Sequence, residues 1–281
     1  MDLDTLIMKI KDIEKIPDWQ WINELNNRKR KELEFHDKNR DSSRIESLDQ
    51  DTYEQFYGNK KYYQATTLSK EYVNNWIKKN CPNRIFLDYA CGNGKNAIKA
   101  GKNKAKLAIG LDISRVSVEN SKKEAKKENV NNNTIFIQAD AENTMLPSKS
   151  IDVIICSGML HHLDLSYAFP ELRRIMRPGG ILLAIEALNY NPAIKMYRYF
   201  TPQMRTKWEK AHILSLNDLK FAERFFDIGE IKFWHITSII APYIKFGLPA
   251  LNKIDKFLTR IPIIKLMAWI FTFELIKKKD T

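Results

Sequence analysis

Cysteine is scarce in this 281-residue chain. The three present, Cys81, Cys91 and Cys156, are not at metal-ligand spacing, so no metal site is read from them. Two lie in or beside predicted strands and are expected to stay reduced, as they would in the cytoplasm. The N-terminus Met1-Asp2-Leu3-Asp4 lacks the basic region and apolar core of a signal peptide. No uninterrupted apolar run reaches the roughly 18 residues needed to cross a membrane. Repeats and low-complexity linkers are also missing. Acidic residues are outnumbered, giving a net charge of +12. Such an excess suits an anionic partner such as nucleic acid, a membrane surface or an acidic substrate. Here, however, lysine is spread along the whole chain beside asparagine and isoleucine, which reads as compositional habit rather than a patch.

What is present is an alternation. The runs Ile85–Asp88, Leu107–Leu111, Thr134–Ala139, Ile151–Cys156 and Ile181–Ala187 are largely apolar and are separated by helix-compatible stretches. Strands of that kind, covered on both faces, imply a parallel sheet with right-handed crossovers. A sixth strand is expected over Ile231–Ile236 and a last one over Met267–Ile276, with apolar helices broken by prolines over 238–262. Residues 1–66 read as a helical arm or lid, with 67–281 as the main domain. Within that domain, 68–188 form the core and 189–281 a substrate cap plus the last strands. In the arm, Asn26–Arg40 is so heavily charged that it reads as a solvated helix. The aromatic segment Tyr53–Tyr63 reads either as packing against the main domain or as a lid over a ligand.

The chain is organised around Ile85-Phe86-Leu87-Asp88-Tyr89-Ala90-Cys91-Gly92-Asn93-Gly94. A strand ends in a carboxylate, turns through two glycines and enters a helix, a layout that brings backbone N–H groups to a nucleotide. Gly92-Asn93-Gly94-Lys95-Asn96-Ala97 also fits the dinucleotide fingerprint, with Asp112 about 20 residues on as the ribose acid. Asp88, however, would repel a pyrophosphate and attract a cation. Asp140-Ala141-Glu142 follows the third strand and suits an adenine, the carboxylate accepting from its amine. Ser157-Gly158-Met159-Leu160-His161-His162-Leu163 sets polar groups over the same edge. A ligand with an ammonium group, a sulfonium centre and no phosphate answers this pattern better than NAD does.

The motifs LDYACGNG, GLDIS, QADAENTMLP, IDVIICSGMLHHL and LRRIMRPGGILL, in that order, resemble the class I S-adenosylmethionine-dependent methyltransferases, in the small-molecule branch that includes the quinone-biosynthesis enzymes. The resemblance implies an α/β, Rossmann-like, seven-stranded, mostly parallel sheet with helices on both faces, plus the N-terminal arm and a C-terminal helical insertion. It also implies S-adenosyl-L-methionine as cofactor. Asp88, Ala90, Gly92 and Gly94 would hold the methionine part, and Asp112 the ribose with Ile113 against the adenine. Asp140 and Ala141 would read the adenine, and the Ser157 carbonyl would face the amino group. The family commonly has glycine where this chain has Ala90.

For chemistry, His161, His162 and Glu186 are the candidate bases if the acceptor is a hydroxyl; the alternative for each is a structural hydrogen bond or ion pair. Tyr62, Tyr63, Tyr190, Arg198 and Arg205 are the candidate substrate contacts, the arginines for a phosphate or carboxylate. From Ile239 onward the chain is apolar and basic, which fits either an interfacial surface for a lipid-linked acceptor or helices roofing the pocket. The expected acceptor is therefore a small molecule, a glycan or a lipid-linked molecule, and O-methylation is the expected reaction. The expected location is cytoplasmic, with peripheral contact at the inner membrane face under the interfacial reading. The alternatives carried are an RNA methyltransferase, disfavoured by the lack of any RNA-binding module, a non-catalytic cofactor-binding protein, and an NAD-dependent oxidoreductase.

Overall fold

The computed structural model describes residues 1–244 and 247–278. Six helices come first: α1 (Leu3–Glu14), α2 (Asp18–Glu24), α3 (Asn27–Arg40), α4 (Ser42–Glu46), α5 (Gln50–Tyr57) and α6 (Lys60–Gln64). Then α7 (Thr67–Asn80) leads into β1 (Ile85–Tyr89), α8 (Lys95–Lys102), β2 (Leu107–Asp112), α9 (Arg115–Lys127), β3 (Thr134–Gln138), β4 (Ile151–Ser157), α10 (Leu165–Ile175) and β5 (Met176–Ala187). After β5 come α11 (Pro192–Phe200), α12 (Lys207–Ala211), α13 (Leu216–Ala222), β6 (Asp227–Trp234), α14 (Leu248–Leu258) and β7 (Ile270–Ile276).

The seven strands form one sheet in the order β3-β2-β1-β4-β5-β7-β6. The first five are parallel and β7 is antiparallel to both neighbours. The expected Rossmann-like sheet is therefore present. β1 and β2 are buried along their whole length, and their side chains alternate between two cores, as the pleat requires. Ile85, Leu87 and Tyr89 join a core shared with α1, α10 and α13, whereas Phe86 packs on the opposite face with Val73 and Trp76 of α7, Ile98 of α8 and Val118 of α9. β5 begins five residues earlier than the apolar run suggests, because Met176 pairs with Ile151 ahead of a register shift between Ile151 and Val153. β6 likewise starts at Asp227, with an irregularity between Ile228 and Ile231.

The segment between β6 and β7 is tied down by one acid. Asp255 of α14 is 1% exposed and accepts from Thr237 N, Thr237 Oγ1 and Ser238 N. This segment still leaves Ile240, Tyr243, Ile244, Ile254, Phe257 and Ile263 exposed. Phe246, part of the same apolar stretch, lies outside the described residues. No helix among the described residues is long and apolar enough to cross a membrane.

One expectation is corrected. Asn27–Arg40 is a helix, capped by Asn26 accepting from Lys29 N at 3.0 Å, but only its outer face is solvated. Glu32 and Leu33 are buried, and the helix lies across the carboxyl ends of β2–β4, held there by its own charges.

Candidate functional site

The loop after β1 is built by strand-end carboxylates. Asp88 points away from Leu87 and Tyr89, towards the start of α8, and accepts from Asn96 N at 3.2 Å and Ala97 N at 3.1 Å. It thereby serves the unpaired donors of that helix N-terminus. Asp112 at the end of β2 accepts from Gly92 N and Ser114 N at 2.8 and 2.9 Å. Between these acids the loop takes left-handed backbone at Ala90 (φ 56), Gly92 (φ 53) and Gly94 (φ 72). Alanine at such a φ costs roughly 1 kcal/mol against glycine, a cost met by the paired loop around it.

Burial pushes the Asp88 carboxyl up to about 7, against the N–H donors that pull it down. Folding thus favours the protonated acid. Its contribution to stability is complete below the unfolded value near 3.8 and is lost as pH rises through about 7. Chemical denaturation between pH 4 and 7 should therefore show wild-type stability falling relative to Asp88→Asn, with a differential slope approaching about 1.4 kcal/mol per pH unit. Parallel profiles would contradict the assignment.

The cavity at the sheet edge brings together Ala90, Asp112, Ile113, Asp140, Ala141, Ser157 and His162. Asp88, Gly92, Gly94, His161 and Glu186 stand behind its wall. Tyr89 Oη donates to Ala141 O and so ties the end of β1 to the loop after β3. Glu186 of β5 is 1% exposed; it accepts from Met159 N and Leu160 N at 2.9 and 2.8 Å and meets His161 Nδ1 at 2.6 Å. One buried carboxylate therefore shapes the 3-10 turn Leu160–His162 and fixes the His161 ring. Its partners are two backbone N–H groups and a histidine.

The roof is α3. Arg28 pairs with Glu142 and donates to His162 O at 2.9 Å. Lys29 lies 2.5 Å from Asp140 and 2.9 Å from Glu142. Glu32 meets His162 Nδ1 at 2.9 Å, Asp37 accepts from Ser114 Oγ at 2.5 Å, and the Arg40 guanidinium lies against Gly92. Burial works to lower the His162 pKa, but its hydrogen bond to Glu32, with Glu209 and Glu186 nearby, outweighs it and leaves the group raised. His36 goes the other way, pushed well down by burial and by the neighbouring His162 and Arg40.

The remaining substrate candidates lie apart from this wall. Tyr62 Oη is 2.6 Å from Tyr243 Oη and its ring meets Tyr197 edge-on. Tyr63 packs on Trp269. Tyr190 accepts from Leu216 N at 3.0 Å. Arg205 donates to Thr201 O and pairs with Glu209 at 3.4 Å. Arg198 Nη1 is buried and finds no hydrogen-bond partner among the described residues; burial, with Arg205 beside it, pushes the guanidinium down to about 10. Sequence reasoning missed Arg28, Lys29, Glu32 and His36. The partners of Arg28, Lys29 and Glu32, namely Glu142, Asp140 and His162, are more than a hundred residues away, and nothing local in the sequence signals the pairing.

Residues 87–184 match the family described as a methyltransferase domain. These residues carry a methyltransferase domain of the class I S-adenosylmethionine-dependent type. It is 32% identical over 120 residues to 27-O-demethylrifamycin SV methyltransferase of Amycolatopsis mediterranei, covering 42% of this chain and 44% of that one. To the ubiquinone/menaquinone biosynthesis C-methyltransferase UbiE of Campylobacter jejuni it is 30% identical, over 40% of this chain and 52% of that one. The methyltransferase match thus spans about half the length of these relatives or less. A geranyl diphosphate methyltransferase solved with geranyl diphosphate and sinefungin shares the fold, with a TM-score of 0.55 and 12% identity, covering 73% of this chain and 77% of that one.

The wall of this methyltransferase domain fits its cofactor. Each Asp112 oxygen keeps a lone pair beyond its backbone bond, so the carboxylate can still receive two ribose hydroxyls. Acids rather than phosphate-binding cations form the rim contributed by the sheet. With α3 in place, the cavity encloses about 90 Å³, against the several hundred typical of a ligand site.

Lys29 ties α3 to the loop after β3, two carboxylates outweighing the cost of burying its charge. Replacing it (Lys29→Met) should free Asp140 for a ligand and tighten S-adenosylmethionine binding roughly fivefold. The gain should appear mostly as faster association in stopped-flow fluorescence. Weaker binding would mean that the lysine touches the ligand instead.

Proposed function

We propose that this protein transfers the methyl group of S-adenosylmethionine to an oxygen of a small-molecule, glycan or lipid-linked acceptor. The observation carrying this reading is the convergence of Asp112, Ile113, Asp140, Ala141 and Ser157 on one cavity. In this reading Asp112 takes the ribose hydroxyls and Ile113 packs on the adenine. Asp140, once released by Lys29, takes the adenine amine, and Ala141 N–H a ring nitrogen. The Ser157 carbonyl, with the loop at Ala90, Gly92 and Gly94, receives the methionine end, and Asp88 keeps that loop in place from behind.

Methyl transfer needs an aligned nucleophile and an absence of water more than it needs activation. The oxygen–methyl bond forms as the sulfur–methyl bond breaks, with the electron pair staying on sulfur. The hydroxyl proton then needs an acceptor. His161 fills that role in this reading, and Glu186 acts as a positioning residue that fixes its ring, because all the donors around that carboxylate are already in place. Arg198 and Arg205 supply an anion-binding corner, supported by the orphaned Arg198 Nη1, and Tyr62, Tyr63 and Tyr190 brace the cap around it. The exposed apolar side chains between β6 and β7 support peripheral contact with a membrane or a lipid-linked acceptor.

The test is S-adenosylhomocysteine formation, followed by mass spectrometry, against hydroxylated acceptors with and without an anionic group. Turnover is expected with anionic acceptors, and Arg198→Gln should raise their KM selectively. Turnover confined to RNA substrates would replace this reading with a different one.

A further inference from the structure

The charged cluster under α3 contains more than a roof requires. We propose that Glu32, His36 and His162 form a binding site for a divalent transition-metal ion such as Zn²⁺ or Co²⁺, in the wall of the cofactor cavity.

The three residues come from two elements. Glu32 and His36 lie one turn apart on α3, and residues at that spacing share a helix face. His162 comes from the 3-10 turn after β4. One ligand atom from each lies within 4.8 Å of the others. His162 Nδ1 is 2.9 Å from Glu32 Oε2, and His36 Nε2 is 3.7 Å from the same oxygen. Ligands placed about 2.0–2.1 Å from a tetrahedral ion are separated by roughly 3.3 Å, so these spacings bracket what such an ion requires without a large movement.

A second observation points to an occupant. Glu32 is 5% exposed, yet its Oε1 has no hydrogen-bond partner among the described residues. A buried carboxylate oxygen without a partner is costly, and an ion seated beside it would satisfy it. Arg28 donates to the His162 carbonyl at 2.9 Å and so fixes that ligand's backbone. All three side chains line the cavity, which leaves room for further ligands on the open side.

The neighbouring acids are less suitable. Asp140 and Glu142 are spent on Lys29 and Arg28. The overlapping group His161, His162 and Glu209 is weakened by Glu186 holding His161 Nδ1 and Arg205 pairing with Glu209. Two imidazoles and one carboxylate favour zinc, cobalt, nickel or ferrous iron over magnesium or calcium, which prefer all-oxygen sites. Three protein ligands leave a coordination position for water or for an oxygen of a second molecule.

The metal site stands on geometry alone, but its chemical use rests on the methyltransferase reading. An ion here would adjoin the turn that carries His161 and could take the acceptor oxygen as a ligand, lowering the pKa of a hydroxyl before methyl transfer. It would also join α3 to the core and hold the roof closed.

The test uses the full-length chain without an affinity tag, stripped with chelator and titrated with Co²⁺. One ion should bind per chain, with visible ligand-field bands that Zn²⁺ abolishes and Mg²⁺ does not. Glu32→Gln, His36→Gln and His162→Gln should each weaken binding at least tenfold. X-ray absorption on the wild-type Co²⁺ complex should count two imidazoles, a readout that holds even if a variant folds poorly. No saturable binding, binding unchanged in all three variants, or a first shell without histidine would each overturn the site. Calorimetry with S-adenosylmethionine on the same samples separates the two ideas. Cofactor binding without cobalt binding removes the metal site alone, and cobalt binding without cofactor binding removes the methyltransferase reading alone.

Discussion

Replacing Asp112 with alanine should weaken S-adenosylmethionine binding by about 1–3 kcal/mol, roughly 5- to 150-fold, through lost charged hydrogen bonds. The same change strips Gly92 N and Ser114 N of their acceptor. Each buried N–H left unpaired costs a further 1–3 kcal/mol or so of folding stability. Two measurements therefore belong together, a calorimetric Kd and a thermal melt. Asp112→Asn sharpens the comparison, because it keeps an oxygen for one backbone donor and loses the charge. If its melting point stays near wild type while its affinity falls, Asp112 is a ligand contact. If stability falls and affinity is untouched in the molecules that remain folded, Asp112 only holds the loop, and the ribose is bound elsewhere.

Glu186→Gln should cost about 10²- to 10⁴-fold in turnover, the usual worth of a positioned acid–base group. The amide oxygen can still accept from Met159 N and Leu160 N, so the 3-10 turn has the means to survive. The amide NH₂ cannot accept from His161 Nδ1, so the imidazole loses both its anchor and its tautomer preference. kcat should collapse with the S-adenosylmethionine Kd nearly unchanged. His161→Ala should be as slow as Glu186→Gln, and the double variant no slower than either, because the two act as one unit. Additive losses would show that Glu186 and His161 act separately, and full activity in His161→Ala would leave the proton to another group.

The parts of the molecule that are readable in the sequence are those governed by local pattern. Leu107–Leu111 and Val153–Cys156 are apolar on both faces because helices cover both sides, and that leaves a mark in the sequence. The loop at Ala90–Gly94 is readable because left-handed backbone favours glycine. Helix α3 is not readable. Arg28, Lys29, Glu32 and His36 look like a hydrated face until the acids of residues 140–142 and the ring of His162 are brought beneath them. A charge that is buried against a charge more than a hundred residues away has the same local signature as one in water. Glu186 shows the intermediate case. Its place at the end of an apolar strand marks it as unusual, but the three donors that explain it lie 25 to 27 residues back, across a crossover. The aromatic run Tyr53–Tyr63 suggests a lid by composition, whereas the element lying on the sheet edge is the polar helix before it.

The central claim is that acids at the carboxyl ends of β2 and β3 select a cationic adenosyl donor over a dinucleotide. Parallel calorimetric titrations of the full-length chain with S-adenosylmethionine and with NAD test it most directly. Saturable 1:1 binding of S-adenosylmethionine with no measurable heat from NAD is the predicted result. Binding of NAD, with S-adenosylmethionine silent, would contradict it.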